Sequence, residues 1–283
     1  MKGKILVMFL IAMFLFISCG QQNVDKKYSV EDLGSLKDGY FVQESIDMSK
    51  YDSENIVRAK IDGKWQEYET VNVPDAFIEW DWGARLQTMD RFRNHQPPKW
   101  AGPHNGIVAT YGAMRKDTQF KLNNAVKGMG FLPKKEKIKE MMQMLKDTDD
   151  NSFTAKLDTL TSIYNHGRDI FDLNKQLSLE LYSNPNFITQ SFLNQLINPI
   201  STIVFLDAKS YKLKTIAQLI DPANPNLTDY EKDVVEYVNL IHSYFHGEFS
   251  IKFIGVIYHI IEVYDNSPGD KDARGTRMMP KLP

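Results

Sequence analysis

The 283 residues carry 34 Lys and Arg against 36 Asp and Glu, a net charge of −2, which excludes the basic excess that a nucleic-acid footprint needs. With 42% apolar and 12% aromatic residues the chain can bury a real core, so wholesale disorder is excluded too. A single cysteine rules out an internal disulfide; packing must supply the stability, and the length fits one large domain or two small ones.

The chain starts MKGKILVMFLIAMFLFISCGQQ. Lys2 and Lys4 precede an apolar run from Ile5 to Ile17. As a helix that run would be roughly 20 Å long, against a bilayer core of about 30 Å, so it has the layout of a secretory signal and not of a comfortable span. The lone Cys19 follows directly after Ile17-Ser18. The wording LFISCGQQ resembles the leaders of spirochaetal outer-surface lipoproteins of the Borrelia type, although Phe16 stands where an aliphatic residue is usual. The resemblance is confined to residues 1–22. It implies removal of residues 1–18 and attachment of acyl chains, palmitate among them, to Cys19. It further implies an outer-membrane location and, by class, surface display with adhesion or immune evasion. A plain signal peptide with an ordinary thiol is the alternative. Without residues 1–18 the charged groups are 32 basic and 36 acidic, net −4.

Residues 19–50 read as a lipidated flexible tether. Over 51–105 a β-hairpin and a Trp/Arg-rich segment are expected. Alternation from Ile56 to Val73 around Asp62-Gly63 predicts the hairpin, because that pair suits a two-residue turn. All four tryptophans, Trp65, Trp80, Trp82 and Trp100, fall close together, interleaved with Arg85, Arg91 and Arg93.

Spacing then predicts helices over Trp82–Phe92, Gly106–Lys127 and Lys134–Lys146, and one long helix from the Asp149–Ser152 caps to Tyr182. In the long helix Phe153, Leu157, Leu160, Tyr164, Gly167, Phe171, Asn174, Ser178 and Leu181 form a heptad seam. Gly167 in that seam either admits a neighbouring helix or bends its own. NPNFIT at Asn184 and NPNLTD at Asn224 open two more helices, the second with a Thr228/Glu231 capping box and a stop at Gly247. Phe249–Tyr264 is apolar except for Lys252, Gly255, His259 and Glu262, a stripe that predicts a buried helix with one wet edge. The fold expected is mainly α: a helical bundle over 106–264, one small hairpin, a Trp-rich N-terminal segment and a disordered tail over 265–283.

Few residues invite chemistry. His242 and His246 have the helical spacing that lets two imidazoles meet one metal ion, but they lie on the flank and outside of their helix; two surface histidines is the plainer reading. His259 and Glu262 form a helix-edge pair or a proton relay. Glu79 and Asp81 flank Trp80 as acids do in glycan-cleaving or glycan-binding sites. Trp80, Trp82, Arg85 and Trp100 are residue types that dominate protein-binding surfaces, and also types that fill a core. The sequence shows no nucleotide fingerprint and no nucleophile motif, and it calls for no cofactor. The expected function is a lipid-anchored, surface-exposed binding protein with a host or envelope protein partner and no nucleic acid. The alternatives are a periplasm-facing structural or assembly lipoprotein and a glycan-active protein.

Overall fold

Asp62 and Gly63 both adopt positive φ, 48° and 80°, which gives the turn the twist that antiparallel strands need. They join β5 (Ile56–Ile61) to β6 (Lys64–Glu69), with Ile61 opposite Lys64. The structure is a computed structural model that describes residues 27–269 and 275–281. Before the hairpin come four two-residue strands, β1 (Lys27–Tyr28), β2 (Leu36–Lys37), β3 (Tyr40–Phe41) and β4 (Ile46–Asp47), then the short helix α1 (Tyr51–Glu54). β4 adds a third strand to the hairpin. β5 buries Val57, Ala59 and Ile61 against Ile216, while most of β6 stays exposed.

The largest element is an antiparallel sheet, and it overturns the mainly α expectation. Its main strands are β7 (Asn105–Tyr111), β9 (Leu122–Gly128), β10 (Lys175–Glu180), β11 (Ile200–Phe205), β12 (Tyr211–Ile220) and β13 (Ile254–Asp265). They run in the order β10-β13-β12-β11-β7-β9. Gly130, just after β9, exchanges two backbone hydrogen bonds with Leu177 of β10, at 2.9 and 2.8 Å, so the sheet closes on itself as a barrel. The strand β8 (Met114–Arg115) pairs with β1, and β14 (Thr276–Met279) pairs with the end of β13.

Helices pack against this barrel: α2 (Asp75–Arg93), α3 (Ile138–Asp147), α4 (Phe153–Asn165), α5 (Gly167–Ile170), α6 (Gln190–Ile197) and α7 (Asp229–His246). The α7 capping box of Thr228 and Glu231 is present, and the helix stops at Gly247. Phe77 and Trp80 of α2 pack edge-on against Phe205 of β11, and both rings meet Tyr211 of β12.

Six expectations are corrected. Gly106–Lys127 is not a helix but the β7 and β9 strands with β8 between them. The predicted seam from Phe153 to Leu181 is broken: α4 ends at Asn165, α5 is one turn, and Ser178 lies in β10. Phe249–Tyr264 is largely β13, an inner strand buried on both sides by α7 and the core, which erases the alternation that would mark a strand. The helical bundle over 106–264 therefore does not exist. At the ends, residues from Lys27 onward, read as tether, are held by packing: Val30, Leu33 and Phe41 are buried, and the Phe41 N–H donates to Asp221 at 2.8 Å. The tail over 265–283 contains β14, paired to β13.

Candidate functional site

Antiparallel register places one row of side chains across six strands: Arg277, Tyr264, Lys212, Val204, Ile107 and Val126. The next row on the same face is Glu262, Lys214, Thr202, Ala109 and Asn124. A third brings Tyr111 beside Leu122. Because side chains alternate along each strand, these rows share a face. That face is charged on β12–β14 and mostly apolar on β7, β9 and β11, where Thr202 and Asn124 are its polar members. Its apolar part is not covered: Tyr111 is 41%, Leu122 61% and Val126 69% exposed.

The hairpin converts part of this face into a groove. Tyr68 of β6 forms one wall; Ile200, Ile216 and Ile261 form the base beside it, and Tyr111 and Leu122 the far side. Lys214 and Glu262 lie at the polar rim of a volume of about 380 Å³, within the size range of small-ligand sites. Ile261 owes its place to the register shift in β13, where Lys214 pairs with Glu262 but Thr215 pairs with Ile260.

Two cations and a hydroxyl share the Glu262 carboxylate at that rim. Lys214 Nζ is 2.6 Å from Oε2 and Arg277 Nη2 is 3.3 Å from Oε1, while the Tyr264 hydroxyl donates to Oε2 at 2.7 Å. A third cation, Lys212 Nζ, sits 4.5 Å from the centre of the Tyr264 ring. Partial burial alone would raise the Glu262 carboxyl, but the bonds from Lys214 and Tyr264 and the Arg277 charge hold it below the usual carboxylate range. The Arg277 Nε–H is buried and has no hydrogen-bond partner among the described residues.

Apart from Glu262, the residues singled out from sequence lie elsewhere. Trp80 and Trp82 pack against the core, Trp82 against Phe131 and Phe171. Arg85 is buried. Its Nε donates to Asp81 Oδ1 at 2.5 Å, and its Nη2 donates to the carbonyls of Pro103 and Met129 at 3.0 and 2.9 Å. Only Trp100, 87% exposed, is a surface residue of that group, so the four make no joint binding surface. Glu79 is exposed and Asp81 fully buried, so these two acids do not face each other. The His242 and His246 rings are 4.7 Å apart, with His242 stacked on Phe249. Among the described residues no group of three or more metal-ligating side chains is arranged to hold an ion. His259 is buried and pairs through Nε2 with Gln218 Oε1 at 3.0 Å, not with Glu262. Cys19 lies outside the described residues.

Sequence reading missed Tyr68, Tyr111, Leu122, Lys214 and Glu262 as groove residues. The signal available was the alternation in YKLK, Tyr211–Lys214, which puts two lysines on one face of a strand.

No protein-family model matches the chain, and no curated protein matches it. Among solved structures the chain is similar to the 1.70 Å crystal structure of a tagged form of Group A Streptococcus HupZ. The identity is 14% and the TM-score 0.33, over 65% of this chain and 94% of that one. Neither fold nor activity transfers at that level of similarity.

Proposed function

We propose that this protein is a lipid-anchored envelope protein, displayed on the outer surface, that binds a ligand or partner and does not catalyse a reaction. The Cys19 leader supports the anchor. The groove between the hairpin and the uncovered sheet face supports the binding role, and it is the observation that carries the reading. It has an aromatic and aliphatic lining with hydroxyl groups among it and one charged pair, Lys214 and Glu262, the mix that ligand sites share. The reading that gives Glu79 and Asp81 paired acid and base roles gains nothing, since Asp81 is engaged by Arg85 inside the core.

Two measurements on intact cells test the anchor and the face. Radiolabelled palmitate should enter the wild-type protein and not Cys19→Ala; equal labelling removes the anchor. Brief protease treatment should digest the protein before lysis. Digestion only after lysis replaces surface display with a periplasm-facing role.

A further inference from the structure

The groove is amphipathic along one direction, and that polarity specifies a ligand. From Lys214 to Leu122 its lining crosses three strand spacings, roughly 14 Å, passing from the charged rim over Thr202 and Ala109 to Tyr111 and Leu122. At the charged end Lys214 and Glu262 line the groove, with Lys212 and Arg277 just beyond them; among the described residues these three cations have one carboxylate, Glu262, between them. An anion placed there meets more positive than negative charge among the described residues. At the apolar end Tyr111 and Leu122 remain exposed and gain by being covered.

We propose that the groove takes a single-chain apolar ligand with an anionic carboxylate head, the head beside Lys212, Lys214 and Arg277 and the chain lying over Ala109 toward Leu122. This rests on the reading of the groove as the binding site. A neutral apolar ligand would leave the cations as they are. A cationic head would be repelled. A second folded copy would have to bury about 800 Å² per partner for a stable contact. The open part of the face, three strands wide and six or seven residues long, offers roughly 15 by 20 Å at ordinary strand spacings.

The test uses full-length protein in phosphatidylcholine nanodiscs, with empty nanodiscs as the blank, and equilibrium dialysis of octanoate and 1-octanol at neutral pH. Octanoate should bind saturably and at least about ten-fold more tightly than octanol. The double variant Lys212→Met/Lys214→Met should weaken octanoate about ten-fold and leave octanol unchanged, since both substitutions lie on an outward face and remove the charge while keeping an unbranched stem of similar length. Ala109→Trp, which fills the groove floor, should remove both ligands. Octanol binding as tightly as octanoate, or octanoate indifferent to the lysine substitutions, overturns the anionic head and leaves the groove standing. If neither ligand responds to Ala109→Trp, the groove itself is not the site, and both readings fall.

Discussion

Replacing Arg85 with Met should cost more stability than any surface ion pair could explain. Asp81 is fully buried and Arg85 is 7% exposed, so this pair has little help from solvent. The guanidinium also satisfies the carbonyls of Pro103 and Met129, tying α2 to the loop before β7 and to the chain after β9. Breaking a buried pair by removing one partner costs about 3–5 kcal/mol, because the other charge stays behind uncompensated. Each carbonyl that loses its donor adds about 1–3 kcal/mol if no water replaces it. Arg85→Met should therefore destabilise by about 4 kcal/mol or more, and Asp81→Leu by about 3 kcal/mol. Removing both should cost less than the sum, since only the two carbonyls then lack donors; the expected coupling is about 2–3 kcal/mol. Urea unfolding followed by tryptophan fluorescence measures all three, with Trp80 and Trp82 on the same helix as reporters. Single variants costing less than about 1 kcal/mol, or costs that simply add, would refute the argument that this pair is a desolvated tie.

Gly167→Ala should destabilise by about 1–3 kcal/mol, as overpacking of a filled core does. A Cβ there would lie 2.8 Å from Trp82 Cη2 and 2.9 Å from Cζ2, so the indole must move; thermal unfolding indistinguishable from wild type would show that it moves freely. Acid should also destabilise the protein. Burial, aided by the Lys175 charge, keeps the His259 imidazole well below its usual value, so below pH 6.5 the unfolded chain takes up a proton that the folded one does not. That contribution is complete above about pH 6.5 and falls by about 1.4 kcal/mol per pH unit as the pH drops. His259→Gln should flatten the slope of unfolding free energy between about pH 6 and 5, and an unchanged slope would exclude His259 as its source.

What could be read from the sequence was local, and what could not was tertiary. Asp62-Gly63 fixes a hairpin because two consecutive positive φ angles admit few residue pairs. Thr228 with Glu231, and Gly247 at the far end, bound α7 for equally local reasons. β13 deceived because Gly255, His259 and Glu262 sit at helical steps by coincidence. In the fold each answers a different neighbour: Gly255 makes room for Val238 of α7, His259 meets Gln218, and Glu262 meets Lys214. The heptad seam failed likewise. Its early members Leu157 and Leu160 are core residues of α4, but Ser178 donates its hydroxyl to the Gly128 carbonyl at the barrel closure, a contact 50 residues away in sequence.

The groove is harder still to see, because no single strand contains it. Lys212 and Lys214 would be an ordinary solvated pair, and Ile107 and Val126 two ordinary aliphatics, if they lay on separate faces. Pairing Val204 with both Lys212 and Ile107, and Ile107 with Val126, puts charge and hydrocarbon in one line. A slip of one residue in β12 would turn both lysines to the opposite face and bring Leu213 out from its fully buried place. The register that the core enforces through Leu213 and Ile203 is therefore the same register that assembles the charged rim. A core substitution that loosens β11–β12 pairing should weaken octanoate binding without touching the groove.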